Sequence, residues 1–336
     1  MKRRQLGQSG LDASVIGLGT WAIGGWMWGG QDEKDAIRAI LASLDAGVDL
    51  IDTAPIYGFG HSESIVGTAI RDRRDEVVLA TKCGLVWDDE RGEYLFSSDE
   101  RGASDTDGGR RIHRLLAPDS IRREVEASLR RLGTDRIDLY QTHWQEGTTP
   151  IEDTMETLLR LREEGKIRAI GVSNASASEM ARYREVGELA SDQEKFSMLD
   201  RRCEEDQLPY VHTEGMAFLA YSPLALGLLT ARIGPNREFG PGDQRRGHPR
   251  FTPENLAAMR DFARELVPVA SNHGATLPQL VLAWTLAREG VSHVLVGARD
   301  EGQASENARA GDLELSEDIL VLIDSVIAGH RDKLAW

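Results

Sequence analysis

From about residue 32 onward the chain alternates between two hydrophobic periods: stretches whose apolar residues recur every three or four positions, and short runs that are apolar almost throughout. The first pattern suits a helix with one buried face and the second a strand buried on both faces, so their taking turns predicts βαβ units on a parallel sheet. In the first clear unit Asp32 can cap a helix whose Ala36, Ile37, Ile40, Leu41 and Leu44 share a face; Gly47 stops it, and 48–52 (VDLID) comes next as a strand. The unit recurs. Pro118 opens a helix carrying Ile121, Val125, Leu129 and Leu132, Gly133 closes it, and 136–140 is the next strand. Pro150 opens another with Met155, Leu158 and Leu159, Gly165 closes it, and 167–172 is strand-like again.

The same reading predicts further strands over 76–80, 189–192, 217–221 and 293–296, with the first near 14–17, which makes eight. Eight βα units need about 250 residues, so 336 residues accommodate a single-domain (β/α)8 TIM barrel over 1–336 with an N-terminal β-hairpin and a C-terminal helix. A doubly wound open sheet is the alternative. Long loops are predicted after strands 3 and 7, over 84–117 and 224–249, on the face where barrel enzymes work.

Charge and composition narrow the function classes. Forty basic against 55 acidic residues give a net charge of −15, spread along the chain, which argues against nucleic acid or an anionic membrane as partner. No apolar run approaches the ~20 residues of a membrane span, and the amino end has no secretory pattern, so the expected location is cytoplasmic. Cys83 and Cys203 are isolated thiols, expected to be free, and neither histidine nor cysteine spacing offers a metal site. The segment 17–22 (GLGTWA) matches a dinucleotide fingerprint on paper, yet the adjoining stretch 23–30 (IGGWMWGG) is too poor a helix to present a phosphate-binding N-terminus.

In a barrel, the side chains that close each strand converge on one pocket. Here they are Trp21, Asp52 and Tyr57, Lys82, His143, Ser173 and Asn174, Gln193, Tyr221 and Ser222, then Gly297 and Arg299. The strings GLGTW (17–21), DTAPIYG (52–58), ATK (80–82), DLYQTHW (138–144), IGVSN (170–174), AYSPL (220–224) and GAR (297–299), running on to Glu306 and Asn307, resemble segments of the aldo-keto reductase family. The likeness is collinear from Leu6 to about Ala310.

That resemblance implies an NADPH-dependent oxidoreductase that reduces an aldehyde or ketone to an alcohol, reversibly, with Asp52, Tyr57, Lys82 and His143 as the catalytic group. Tyr57 would give the proton; the Lys82 ammonium would favour the phenolate, Asp52 would hold that ammonium, and His143 would donate a hydrogen bond to the carbonyl. For the cofactor, the likeness implies that the nicotinamide lies across Tyr221 with its carboxamide held by Ser173, Asn174 and Gln193. Ser173 and Asn174 could also cap the helix containing Met180. Gly297, Ala298 and Arg299 would receive a 2′-phosphate, with Glu306 and Asn307 at the adenine. Gly19, Thr20, Trp21, Asp52, Ser222, Pro223, Leu224, Gly227, Leu229 and Gln303 complete the implied cofactor set. Trp21, Trp26, Trp28, Trp87 and Trp144, together with Tyr57 and His143, are expected around a small carbonyl or alcohol substrate.

The chain departs from the family pattern at Asp300 and Glu301, two acids beside the expected phosphate site, and at Gln193-Glu194-Lys195-Phe196, where a tyrosine is frequent. NADPH is therefore the expected cofactor with NADH kept open. Two other functions stay open at this point: a lyase or aldolase using Lys82 as a Schiff base, and a cofactor-binding regulatory or channel-auxiliary subunit with little turnover. A homo-oligomer is equally open.

Overall fold

The computed structural model describes residues 1–99, 102, 108–234 and 236–334. Strands β1 (Arg3–Gln5) and β2 (Asp12–Ser14) form an antiparallel hairpin. Strands β3 (Ile16–Gly19), β4 (Leu50–Asp52) and β5 (Val78–Cys83) then start a parallel barrel. Before it continues, β6 (Leu85–Val86), β7 (Glu93–Ser98) and β8 (Arg110–Arg114) form a separate antiparallel sheet in the order β6-β8-β7. The barrel resumes with β9 (Ile137–Thr142), β10 (Ile167–Ser173), β11 (Ser191–Lys195), β12 (Ala217–Tyr221) and β13 (Val291–Gly297), and closes where Val294 pairs with Ile16.

Helices α1 (Glu33–Asp45), α2 (His61–Ile70), α3 (Pro118–Leu132), α4 (Ile151–Glu163), α5 (Ala177–Val186) and α6 (Gln207–Thr213) occupy successive crossovers. Two, α7 (Pro253–Asn272) and α8 (Leu277–Leu286), lie between β12 and β13, and α9 (Glu301–Arg309) and α10 (Glu317–His330) complete the chain's helices among the described residues. The punctuation seen in the sequence acts as expected at several ends. The Asp32 carboxylate accepts from the Lys34 and Asp35 amides at 2.9 and 3.1 Å, Pro118 sits in the first turn of α3, and Gly133 ends that helix at φ 64°. The cap of α5 is different from the one expected. Ser176 caps it, in a reciprocal box with Glu179, because Asn174 is held at φ 54° two residues upstream and its side chain is used elsewhere.

Strand limits differ from the apolar runs in a consistent way. The ladder of β5 runs to Cys83 rather than stopping at residue 80, β9 to Thr142 and β11 to Lys195, while Glu76 lies in a 3₁₀ turn. The polar residues near these ends stay in the sheet because Lys82, Gln141 and Gln193 point into the barrel and find partners there, while Lys195 is exposed and pairs with Asp200. Of the two predicted loops, 84–117 contains the β6-β8-β7 sheet, and its residues 100, 101 and 103–107 lie outside the described residues, as does 235 in the second loop. In that second loop 3₁₀ turns occupy Ala225–Thr230 and Pro249–Phe251.

Side chains alternate along each strand, and the inward set forms layers. The lower layer is apolar: Leu50, Ala80, Leu139, Ala169, Ala217, Leu219 and Leu295, sealed from below by Leu6, Leu11 and Ala13 of the hairpin. Leu6 is 0% exposed. Above it the same strands turn polar, and that layer is the site. Cys83 and Cys203 are both free and buried. No described helix is long and apolar enough to cross a membrane.

Candidate active site

At the carboxyl end of the barrel Asp52 closes β4 and Lys82 comes from the neighbouring β5, where strand spacing brings inward side chains together. Lys82 Nζ donates to Asp52 Oδ1 at 2.6 Å and to the Thr53 carbonyl at 3.0 Å. The two side chains are 1% and 4% exposed, so the pair is dry. Asp52's other oxygen, Oδ2, accepts from Gln193 Nε2 at 2.9 Å and Gln141 Nε2 at 3.3 Å. Its backbone carbonyl receives both the amide and the hydroxyl of Thr20, at 2.9 and 3.0 Å, and Ser62 Oγ ties Thr20 to Thr53.

Tyr57 sits in the turn after β4, its ring centroid 5.3 Å from Lys82 Nζ and 5.8 Å from the His143 ring, which meets it edge-on. Burial, and after it the Asp52 charge, holds the Tyr57 phenol well above its ordinary pKa. Dehydration thus sets the direction for the phenol, with the Lys82 ammonium 5.3 Å from its ring. Burial likewise lowers the Lys82 ammonium, outweighing the Asp52 charge and hydrogen bond that raise it. His143, buried and near Lys82, is pushed well below the usual imidazole range and is neutral at pH 7, with one ring N–H to give.

A second network joins this group to the residues expected around a nicotinamide. The Tyr221 hydroxyl donates to Asn174 Oδ1 at 2.9 Å, and Asn174 Nδ2 donates to the His143 carbonyl at 2.9 Å and to Ser173 Oγ at 3.0 Å. Ser173 Oγ donates to the Gln193 carbonyl at 2.8 Å. The left-handed backbone at Asn174 lets its amide reach back over β9, and Glu194 fixes the next residue by accepting from the Ala175 amide. Gln193 points into the barrel, at Asp52. Gln145, absent from the sequence expectation, bridges Thr142, the Ser173 carbonyl and Tyr183.

The adenine-side residues gather where β13 meets α9. Arg299 Nε donates to Gln31 Oε1 at 2.6 Å and the same guanidinium reaches the Gly30 carbonyl, while Gln303 Oε1 accepts from the Arg299 amide. Asp300 caps α9 by accepting from the Gln303 amide. Glu306 is paired with Arg232 at 2.7 Å, and Asn307 Nδ2 donates to the Gly297 carbonyl. Arg245, paired with Asp243, lies over the Trp28 and Phe239 rings and, with Arg237, is near enough to Arg299 to push its pKa down further after burial. Ser222, Ala225, Leu226 and Gly227 all have positive φ, giving a tightly folded rim; Leu224 packs against the core, where Pro223 and Leu229 are buried. Gly19, Gly297 and Ala298 leave the floor between the strand ends free of bulk, since a Cβ on Gly19 or Gly297 would meet nothing closer than 3.7 Å.

The tryptophans divide. Trp21 stacks at 6.0 Å on Tyr57 and meets Trp28 edge-on at 5.7 Å, beside the site. Trp26 is buried, bonded to Ser98 Oγ, and packs with Phe59 and Phe96; Trp87 lies against Phe59. Those two form a roof under the β6-β8-β7 sheet, whereas Trp144 is 37% exposed. The signal for Gln141 is present in the sequence, because it alternates with Leu139 and His143 on one strand; Gln31, Arg232 and Arg245 lie in irregular segments that carry no such period.

The sequence model described as the Aldo/keto reductase family matches residues 15–328. The chain is 42% identical over 323 residues to the NADH-specific methylglyoxal reductase of Escherichia coli (strain K12), covering 94% of this chain and 95% of that one. It is 41% identical to the aldo-keto reductase YhdN of Bacillus subtilis (strain 168), over 90% of this chain and 86% of that one. Among solved structures it is similar to the glycerol dehydrogenase AKR11B4 from Gluconobacter oxydans, with a TM-score of 0.84 and 38% identity over 98% and 95% of the two chains.

Proposed function

The chain belongs to the aldo/keto reductase family of oxidoreductases, and on that premise we propose that it reduces a small aldehyde or ketone to the alcohol, with Tyr57 as the proton donor. When bound, a reduced nicotinamide dinucleotide supplies the hydride that goes to the carbonyl carbon. The observation that carries the reading is the dry Lys82–Asp52 pair at 2.6 Å beneath Tyr57, with the His143 ring against it.

Negative charge develops on the carbonyl oxygen as its carbon is reduced, and two donors converge there. Neutral His143 gives a hydrogen bond, and the Tyr57 hydroxyl gives its proton. A phenol whose pKa is raised stays protonated at pH 7, which suits reduction. Lys82 sits under the ring that becomes anionic, and Asp52 keeps the ammonium in place. Tyr221, Ser173 and Asn174 would hold the nicotinamide ring and its carboxamide, and Gln193 would turn from Asp52 to join them. Trp21 and Trp28 would wall a small substrate, in keeping with the relatives named for methylglyoxal and for glycerol.

For the second half of the cofactor we propose NADPH, on the guanidinium groups of Arg299, Arg245 and Arg237, which suit a phosphate. A second reading, NADH, is favoured by the Asp300 carboxylate at the head of α9 and by the name of the Escherichia coli relative. The test is loss of the reduced cofactor's near-ultraviolet absorbance with a panel of 2-oxoaldehydes and hydroxyaldehydes, using each dinucleotide. Turnover that Tyr57→Phe lowers by about 10²- to 10⁴-fold supports the proposal. No turnover and no binding of either dinucleotide by the unaltered protein would remove it.

A further inference from the structure

Gln141 stands on β9 between Leu139, in the apolar layer, and His143, at the site, so it points into the barrel. It is buried, and the proposed chemistry does not use it. Its Nε2 donates to Asp52 Oδ2 at 3.3 Å and its Oε1 accepts from Gln193 Nε2 at 3.4 Å. Space is kept for it. Gly171, its partner across the β9–β10 ladder, would with a Cβ stand 3.0 Å from Gln141 Cγ and 2.4 Å from Ser191 Oγ. A buried carboxylate held on one oxygen only can swing about its Cβ–Cγ bond, and Asp52 Oδ1 is the oxygen that holds Lys82. Gln193 shares the duty on Oδ2 but has a competing use at the cofactor's carboxamide. Gln141 has no such use.

We propose that Gln141 is a positioning residue for the reaction: it pins Asp52 Oδ2, so that Oδ1 stays on Lys82 Nζ and the ammonium stays under Tyr57 whenever Gln193 is drawn away. The inference rests on the roles proposed for Asp52, Lys82 and Tyr57. It treats the two glutamines as unequal, one shared with the cofactor and one dedicated to the carboxylate.

The experiment is a double-mutant cycle in carbonyl reduction with Gln141→Leu, Asp52→Asn and the pair, following kcat, both KM values and dinucleotide binding by tryptophan fluorescence. Loss of one hydrogen bond to a buried carboxylate should lower kcat by about 10- to 100-fold in Gln141→Leu, with both KM values changed by less than about threefold. In the Asp52→Asn background the same substitution should cost less than about threefold, because the group it acts through is already altered. Unchanged kcat in Gln141→Leu, or losses that multiply in the double variant, would overturn the inference and leave the reductase reading intact. Full kcat in Asp52→Asn would overturn the underlying roles first. Gln141→Met, of similar length, repeats the cycle if the leucine variant does not fold; failure of both to fold by circular dichroism assigns Gln141 to packing and ends the inference.

Discussion

Replacing Lys82 by methionine keeps most of the side-chain volume and removes the charge, leaving Asp52 Oδ1 without its partner in a place that is 4% exposed. Two charges 2.6 Å apart attract by about 6 kcal/mol at an effective dielectric constant of about 20. Burial nevertheless carries the Lys82 pKa downward, so dehydrating the ammonium costs more than that attraction returns. The pair as a whole therefore adds little to stability, while half of it is a liability. Lys82→Met should lower the unfolding free energy by about 3–5 kcal/mol, and Asp52→Asn added to it should recover most of the loss. Asparagine is chosen because it keeps an oxygen for Gln141 and Gln193. Urea unfolding followed by tryptophan fluorescence measures all three proteins, with equal slopes required for the comparison. A single variant within about 1 kcal/mol of the parent, or a double variant as unstable as the single, would refute the reasoning.

The remaining predictions address other parts of the molecule. Leu6→Ala, which opens a void beneath the apolar layer, should cost about 2–5 kcal/mol in the same unfolding assay while leaving KM values unchanged. The Glu194 carboxyl is raised from 4.5 to about 7 by burial, so the folded state holds a proton that the unfolded state releases; the stability this confers is complete below about pH 4.5 and lost as pH rises to about 7. Glu194→Gln should flatten the fall in melting temperature across that window, and an unchanged pH slope would contradict it. Arg299→Ala should raise the KM for NADPH by about 10- to 100-fold and that for NADH by much less, checked by initial rates with each dinucleotide. Equal rises for both would assign Arg299 to holding Gln31 and Gly30 rather than a phosphate.

Periodicity makes the barrel legible because its strands are buried on both faces and most crossover helices on one, α8 being buried all round. The strand ends are less so. Lys82 and Gln193 look like loop residues by polarity, yet they remain in the ladder because the barrel interior gives them charged and amide partners, and Thr142, on the other face of β9, accepts from Gln145. The sheet of β6, β7 and β8 reads as loop because its strands carry the exposed Arg110 and Arg111 and the half-buried Glu93 and Ser97, which break any alternation of apolar and polar positions. The grouping of Asp52 with Lys82 comes from strand ends and resemblance together, whereas the raised Tyr57 pKa depends on dehydration that no local pattern records. Asn174 is similar, since its left-handed backbone and its reach to His143 arise from tertiary contacts, whereas the cap of α5 is legible locally in the Ser176-x-x-Glu179 spacing of a capping box.

The hairpin that seals the barrel from below makes assembly an all-or-nothing affair. Leu6 and Leu11 are stoppers cut for a vessel whose wall includes Leu219 and Leu295, and the wall itself closes only when Val294 comes alongside Ile16. A growing chain would thus carry its bung exposed on the ribosome until the last stave is made, and loss of the amino-terminal segment would leave the finished cask leaking water into its driest layer.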